Sequence, residues 1–288
     1  MKKFLLTLAA RLAGILPTSF KKAIYKIPFL SGIIRQILNK SAPQGLTVIS
    51  IAAGNGRGLK MALDLQSEKD YWLGTYEPDL QAAARALVQP GMTIYDIGAN
   101  IGYISITMAA LAGPSGKIFS FEALPVNCRR FHENIVLNHL ERQVTLVDAA
   151  VIDSEKKVIF LSHHSGAMGK ALGSAGRNEN YQGEIQVQGI SIDHFVYADG
   201  NPAPDLIKMD IEGGEGIALG GMPKIINKAK SIFLIELHGQ VAAQQVWNLL
   251  KKESYTFHHM RKGFPPMCTM DDMDWKAYVV AIPQQKTQ

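Results

Sequence analysis

Several side chains that can bind ligands or move protons stand where short apolar runs of the sequence end. Asp96 follows the run 93–95, and Glu122 follows a second apolar run. A later apolar run is followed by Asp210 and Glu212, and another is followed by Glu236 and His238. Carboxylates accept hydrogen bonds from hydroxyls and amines, and carboxylates and imidazoles can act as general bases. The pattern predicts a binding and catalytic centre built from the ends of several strands.

A glycine-rich turn directly follows the first of these runs. Gly98 and Gly102 enclose Ala99 and Asn100, and an apolar helix is predicted over 104–112. Glycine allows positive φ and lets the backbone approach a ligand closely. Strand, glycine turn and helix in this order are typical of the nucleotide-binding end of a βαβ unit, where free N–H groups point at the ligand. Taken alone, the stretch could also be an ordinary connection in an α/β protein.

The spacing of the glycines bears on which nucleotide could bind. The turn is Gly-x-x-x-Gly and lacks the third glycine of dinucleotide sites, whose pyrophosphate needs bare backbone. Asp96 would repel a phosphate and suits the cationic amino-acid part of S-adenosylmethionine. Glu122 lies about twenty residues beyond the turn, where an acid can accept hydrogen bonds from ribose hydroxyls. A third strand is predicted to end near Asp148 and Ala149, where Asp148 could contact the base or simply cap the next turn.

A second glycine-rich segment, 54–58, lies nearer the N-terminus. Apolar and polar residues alternate on both sides of it, over 48–51 and 59–65. This period of two predicts a β-hairpin and argues against a phosphate-binding loop.

The composition is that of an ordinary globular protein, with one exception in its charge. Of 288 residues, 47% are hydrophobic and 19% are charged, so disorder is not expected. The exception is that ten Lys or Arg and no acid precede Asp64, which leaves 20 basic and 25 acidic residues from there onward. The net charge of +5 therefore belongs to an N-terminal extension, and nucleic-acid binding by the whole protein is not expected. Cys128 and Cys268 fit no metal or disulfide spacing, so a reducing, cytoplasmic location is expected. Peripheral contact with a membrane surface is compatible with this location.

The first 45 residues are predicted to form a basic, amphipathic helical extension. Apolar residues share one helical face over 2–16, Pro17 ends that run, and the basic and apolar pattern repeats over 20–38. The run is too short to span a bilayer, and no cleavage site of an export signal follows it. Residues 1–40 are therefore either an arm that packs on the catalytic domain or on a partner subunit, or a helix at the surface of an anionic membrane.

Strands and helices alternate through the rest of the chain. This alternation predicts an α/β fold, a parallel sheet with helices on both faces. The predicted division is a basic helical extension at 1–45, a β-hairpin subdomain at 46–75 and a catalytic domain at 76–288. A segment rich in glycine, serine and asparagine, 165–182, is expected to be a mobile loop.

A divalent ion is an alternative use of the acids at the strand ends. Such an ion would bind Asp210, Glu212, Glu236 and His238, but no compact ligand motif occurs, so no metal is expected. Lys208 could pair with Glu212 or Glu236. The histidine pairs 163–164 and 258–259 are expected at the surface or in packing.

Blocks of the sequence resemble the FkbM family of S-adenosylmethionine-dependent methyltransferases. They occur in family order between about residues 71 and 282, and they are 73–78, 95–103, 121–123, 191–193, 207–213 and 235–236. The block from Asp96 to Gly102 and the Lys-x-Asp-x-Glu-Gly block at 208–213 are together specific. Ala123 departs from the family, which usually has proline there, and the basic extension is not covered.

The resemblance implies a Rossmann-like class I methyltransferase fold with a seven-stranded, mostly parallel sheet whose last strand is antiparallel. It implies S-adenosylmethionine as cofactor and transfer to an oxygen, often a hydroxyl of a sugar or natural product. With the interpretation of the strand ends, it predicts cofactor contacts by Tyr76, Glu77, Asp96, Gly98, Ala99, Asn100, Gly102, Glu122, Ala123, Asp148, Ala149 and Asp210. Asp210 or His238, with Glu236 beside them, would take the hydroxyl proton.

The predicted function is therefore in-line methyl transfer to a hydroxyl of a small-molecule or glycan acceptor. Transfer to nitrogen or to a carboxylate by the same fold is one alternative, and a membrane-docked module without activity is another. A nicotinamide-dependent oxidoreductase would need the missing glycine. The sequence does not identify the acceptor, whose selection is expected to depend on 165–182 and on the N-terminal additions.

Overall fold

A computed structural model describes residues 42–163, 169–175, 181–273 and 277–284, together with the single positions 29 and 32. The arm predicted for residues 1–40 lies almost entirely outside the described residues, and so does His164. Within the described ranges, no helix is both long enough and apolar enough to cross a bilayer.

Strands and helices alternate along the described chain, as the sequence predicts. The strands are β1 (Leu46–Ser50), β2 (Lys60–Asp64), β3 (Thr93–Ile97), β4 (Lys117–Glu122), β5 (Val144–Asp148), β6 (Ala150–Val151), β7 (Lys157–His163), β8 (Gly169–Ala171), β9 (Tyr181–Ile190), β10 (Leu206–Met209), β11 (Ile232–Glu236), β12 (Tyr255–His259), β13 (Pro266–Met267) and β14 (Tyr278–Pro283). The helices are α1 (Lys69–Leu73), α2 (Pro78–Leu87), α3 (Tyr103–Ala112), α4 (Pro125–Val136), α5 (Ile192–Tyr197), α6 (Glu215–Gly220) and α7 (Gln240–Lys252).

The largest sheet holds eight of the described strands. Its order is β13-β12-β14-β11-β10-β3-β4-β5, and β3, β4, β5, β10 and β11 run parallel. β14 is antiparallel to both neighbours, as the family resemblance implies. The prediction of seven strands is corrected to eight among the described residues, because β13 adds a short edge strand beside β12. Between β10 and β4, β3 lies at the switch point where open α/β sheets bind ligands at the strands' carboxyl ends.

Both faces of the central strands are buried, and most of their side chains are apolar. Ile94 and Leu206 point into a core shared with α2, α3 and α4. Tyr95 and Ile207, the next residues along the same strands, point into a second core with α5, α6 and α7. Each fully buried large apolar side chain stabilises the fold by about 1.5–3 kcal/mol. The two cores therefore hold the strand ends, and the loops after them, in fixed positions.

The hairpin predicted around 54–58 is confirmed, with β1 and β2 antiparallel and 54–58 in their connection. Buried Asn134 of α4 links this hairpin to the glycine turn. Its Oδ1 accepts from the amide of Ala62 at 2.8 Å, and its Nδ2 donates to the carbonyl of Ile101 at 2.8 Å. The hairpin thus packs on the catalytic domain as one wall, while the predicted domain boundaries stay a prediction.

A smaller sheet of order β6-β9-β7-β8 covers one end of the main sheet's β4–β5 side. The sequence predicts no separate sheet here. Its strand β8 lies inside the segment expected to be a loop, and β9 begins at Tyr181, before the strand predicted from residue 185. The loop prediction for 165–182 is therefore corrected at 169–171 and at 181–182, and residues 164–168 and 176–180 lie outside the described residues.

Candidate active site

The turn after β3 needs glycine at two positions. Gly98 and Gly102 have φ values of 79° and 89°, in the left-handed region that disfavours other residues. A Cβ at Gly98 would stand 1.9 Å from the carbonyl oxygen of Asp210, and one at Gly102 would stand 2.9 Å from the ring of Phe131. The backbone of the turn therefore packs directly on the end of β10 and on α4.

A cavity of about 600 Å³ runs along the carboxyl ends of β3, β4, β5 and β10, and its size suits a small molecule. The turn supplies its centre with Gly98, Ala99 and Asn100. We call its two sides the β5 lobe, lined by Glu122, Ala123, Asn127, Ala149 and Ala150, and the β10 lobe, lined by Asp70, Tyr71, Tyr76, Glu77, Asp210 and Glu212.

Glu122 ends β4 and forms part of the β5 lobe. Its Oε2 accepts from the amide of Asn100 at 2.8 Å, and its Oε1 accepts from the amide of Leu124 at 2.8 Å and from Asn127 at 3.3 Å. Burial raises the pKa of this carboxyl, while the hydrogen bonds lower it. Each carboxylate oxygen has two acceptor sites, so Glu122 can hold the turn and also accept from a ligand.

Asp96 is fully buried behind the turn and is not on the cavity wall. Its Oδ2 accepts from the hydroxyl of Ser105 at 2.6 Å, and its Oδ1 lies 3.0 Å from Nζ of Lys208. Lys208, itself buried, also donates to the carbonyl of Gly98 at 2.8 Å. A buried ion pair thus joins β3, β10 and the first residue of the turn.

These contacts bear on two predictions. The direct contact predicted between Asp96 and the cofactor stays a prediction, and the contacts of its carboxylate in the structure are with Lys208 and Ser105. The predicted pairing of Lys208 with Glu212 or Glu236 is wrong, because the parallel register of β3 and β10 aligns Lys208 with Asp96.

The wall beyond β5 is apolar, and Ala149, Ala150 and Val151 are part of it. Ala123, Ala149 and Ala150 line the cavity, whereas Asp148 is exposed and does not. Burial, with the charge of Asp148, raises the pKa of the Cys128 thiol to about 12. Asp148 lies beside this thiol of α4, and its predicted contact with a nucleoside base stays a prediction.

Acids surround His238 at the border of the β10 lobe. Its Nε2 lies 3.4 Å from Glu236 Oε1 and 3.8 Å from both Asp210 Oδ1 and Glu212 Oε2. Its Nδ1 lies 3.2 Å from Glu215 Oε1, a fully buried carboxylate at the start of α6. An ionised carboxylate only accepts, so Nδ1 donates this hydrogen bond. The structure brings together the four residues that the sequence placed at two strand ends and adds Glu215 to them.

These residues differ in their access to the cavity. Asp210 lines it, whereas Glu236 and His238 do not. Ligand atoms of the three lie within 4.8 Å of one another, close enough to share a metal ion, and the expected absence of a metal stays a prediction.

Burial and crowding shift the titration of this group. Burial, then the charges of Asp210 and Glu236, raise the pKa of Glu77 to about 8. Burial raises the pKa of Asp210 to about 7. Burial alone would lower the pKa of His238. The hydrogen bonds to Glu215 and Glu236 outweigh burial and raise this pKa to about 10. At neutral pH the imidazole therefore carries a proton, while Asp210 is partly ionised.

Tyrosines and a left-handed glutamate complete the β10 lobe. The ring centroids of Tyr71 and Tyr76 are 4.4 Å apart, and Tyr103 lies 5.0 Å from Tyr71. Glu77, just before α2, has a φ of 42°, which is rare for residues other than glycine and is typical of functional sites. Sequence reasoning missed Tyr71, Tyr103 and Glu215, because single tyrosines and an acid inside a helix match no motif.

Comparison with known proteins gives a family and two relatives. The family model described as the methyltransferase FkbM domain matches residues 96–264. The chain is 26% identical over 159 residues to the hexuronic acid methyltransferase AglP of Haloferax volcanii, across 55% of this chain and 61% of the relative. It is 28% identical over 161 residues to the 2-O-methyltransferase NoeI of Sinorhizobium fredii, across 51% of this chain and 64% of the relative. The chain therefore spans less than two thirds of either relative's length.

Two solved structures are also similar. A methyltransferase FkbM from Methylobacillus flagellatus aligns with a TM-score of 0.46 and 14% identity, over 90% of this chain and 60% of that one. An S-adenosylmethionine-dependent O-methyltransferase from Thermotoga maritima aligns with a TM-score of 0.44 and 15% identity, over 90% of this chain and 83% of that one.

Proposed function

This chain belongs to the FkbM methyltransferase family, and from that premise we propose that it transfers the methyl group of S-adenosylmethionine to a hydroxyl oxygen of a sugar or glycoconjugate. One observation carries the proposal: the glycine turn at Gly98, the buried Glu122 and the proposed base Asp210 all line the same cavity. The names of the two relatives, a hexuronic acid methyltransferase and a 2-O-methyltransferase, support a sugar hydroxyl as acceptor.

S-adenosylmethionine suits the residues around the turn. The turn itself lines the cavity with Gly98, Ala99 and Asn100, so its backbone can contact a ligand. Glu122 would accept hydrogen bonds from the ribose, and Ala149 would flank the base. Asp210, which follows β10 beside the turn, would stand nearest the sulfonium group.

In the proposed reaction the acceptor oxygen bonds to the methyl carbon while the carbon–sulfur bond breaks and its electron pair stays on sulfur. The hydroxyl proton passes to Asp210, because Asp210 lines the cavity whereas His238 and Glu236 stand behind it. Alignment of the two reacting atoms can supply about 7–11 kcal/mol in favourable cases. A positioned base adds about 10²–10⁴-fold.

Calorimetry with S-adenosylhomocysteine and with NADH tests the cofactor. We expect one equivalent of S-adenosylhomocysteine to bind and no heat from NADH. The reverse result would contradict a methyltransferase and favour an oxidoreductase.

Turnover is then measured as release of S-adenosylhomocysteine from extracts that supply glycan acceptors. The Asp210→Asn variant should bind S-adenosylhomocysteine but lose about 10²-fold or more in turnover. Full turnover by this variant would remove Asp210 from the role of base. Contact of residues 1–40 with a membrane or a partner stays a prediction.

A further inference from the structure

The β10 lobe is built largely from chain that precedes the segment matched by the family. The family match covers 96–264, whereas Asp70, Tyr71, Tyr76 and Glu77 come from α1 and the loop before α2. In the proposed function the β5 lobe and the turn hold the cofactor, whose sulfonium lies nearest Asp210. The side left for the acceptor is the one next to Asp210, lined by residues 64–77. This placement assigns Tyr76 and Glu77 to the acceptor instead of the cofactor contacts expected from the sequence.

Acids dominate this side of the cavity. Asp70, Glu77, Asp210 and Glu212 line it, and Asp64 and Glu68 extend the same wall. Glu236 and Glu215 stand immediately behind, around a single imidazole. The charges of Asp210 and Glu236 already raise the pKa of Glu77 beyond the effect of burial. A further anion in this lobe would meet the same repulsion.

Among the described residues, Arg130 and Lys208 are the Lys and Arg side chains that line the cavity, and each is paired with an acid of the protein. Arg130 forms two parallel hydrogen bonds to Glu68, each of 2.7 Å, and donates to a backbone carbonyl as well. Lys208 is buried against Asp96 and the turn. A bidentate arginine pair of this kind is the usual way to recognise a carboxylate or phosphate. Here the guanidinium of Arg130 already binds Glu68 of the protein itself.

The rest of the lobe suits an uncharged polyol. Carboxylates accept hydrogen bonds from hydroxyl donors, which sugars present in number. The rings of Tyr71 and Tyr76 add an apolar wall beside these acceptors. Like charges brought together in a binding site disfavour the wrong partner.

We propose that residues 64–77 make this enzyme selective for an electrically neutral sugar ring as methyl acceptor and exclude uronic acids and phosphorylated sugars. The inference rests on the proposed function for the position of the acceptor. It separates this chain from the hexuronic acid named for its relative AglP.

The experiment identifies the charge of the ring that receives the methyl group. Extract of the native cells is incubated with the purified chain and methyl-labelled S-adenosylmethionine. The labelled glycans are hydrolysed, and the labelled monosaccharide is separated by anion exchange and identified by mass spectrometry. We expect at least about tenfold more label in neutral than in anionic sugars, from the cost of adding a like charge.

A pair of variants ties the selectivity to the lobe. Asp70→Asn removes one negative charge and keeps an oxygen for the hydroxyl of Thr75, which donates to Asp70 at 3.1 Å. Glu141→Gln makes the same change of net charge at an exposed position away from the cavity. The anionic share of the label should rise several-fold in the first variant and stay unchanged in the second.

Label in a uronic acid or a phosphorylated ring would overturn the inference and leave the proposed function intact. Equal shifts in the two variants would also overturn it. Label in a product without a sugar, or none at all, would overturn the sugar acceptor together with this inference. Binding of S-adenosylhomocysteine in calorimetry would then still support the methyltransferase itself, so the two failures are distinguishable.

Discussion

Replacing Lys208 by methionine should lower the free energy of unfolding by about 3–5 kcal/mol. The Lys208 side chain is 5% exposed, and its Nζ lies 3.0 Å from the fully buried Asp96. Methionine fills a similar volume but leaves this carboxylate with the hydroxyl of Ser105 as its remaining described donor. Removing one member of a buried ion pair is costly because the other charge stays buried without compensation. The carbonyl of Gly98 loses its donor in the same variant.

A double variant separates the buried charge from the lost packing. Lys208→Met combined with Asp96→Asn removes both charges, and the amide oxygen can still accept from Ser105. Replacing both members of a buried pair is often close to neutral, so the double variant should recover to within about 1–2 kcal/mol of the wild type. The residual loss belongs to the carbonyl of Gly98, since a buried acceptor without a donor costs about 1–3 kcal/mol.

Urea unfolding followed by circular dichroism measures both variants, and an unchanged dependence on urea shows that they unfold in the same way. The reasoning is refuted if the single variant loses less than about 1 kcal/mol, the value of an exposed pair. It is also refuted if the double variant is no more stable than the single one.

Three further predictions concern the cavity and the cysteines. Glu122→Gln should weaken binding of S-adenosylhomocysteine in calorimetry by about one to two decades, because charged hydrogen bonds contribute about 1.5–3 kcal/mol each; unchanged affinity would contradict its role at the ribose. With Asp210 as base and its pKa raised by burial to about 7, kcat/KM should rise with pH up to that value and fall about tenfold for each pH unit below it; a flat profile between pH 5 and pH 8, measured with an identified acceptor, would rule this base out. At pH 8, iodoacetamide should modify exposed Cys268 quickly and buried Cys128 slowly, as read by mass spectrometry of peptides; equal rates would contradict the burial and the raised pKa of the Cys128 thiol.

The order of strands and the cofactor turn are predictable because each depends on local sequence. An apolar run, a pair of glycines and a following helix are adjacent in the chain, and the turn at Gly98 and Gly102 has the positive φ values expected of it. Alternation of strand and helix then requires a parallel sheet. The hairpin at 46–64 follows in the same way from its period of two.

The details that sequence reasoning got wrong depend on contacts between distant segments. Lys208 pairs with Asp96 because β10 and β3 are neighbours in register, although more than a hundred residues separate them. The proximity of Asp148 to the Cys128 thiol likewise joins two separate elements, β5 and α4. Glu215 joins His238 only after α6 folds back onto the end of β11. Periodicity and spacing contain none of this information.

The glycine turn and the proposed base are held together, because hydrogen bonds connect the end of β3 to the end of β10. The amide of Asp210 donates to the carbonyl of Ile97 at 3.1 Å, and the backbone of Gly98 packs directly on the carbonyl of Asp210. Lys208, two residues before Asp210, holds the carbonyl of Gly98 from the other side. In the proposed reaction, the methyl donor lies on the turn and the proton acceptor ends β10. Their separation is therefore set by backbone contacts and a buried ion pair that touch neither substrate. Since a misplacement of about 1 Å between reacting groups can cost about 10²-fold in rate, this buried pair matters to turnover as well as to stability.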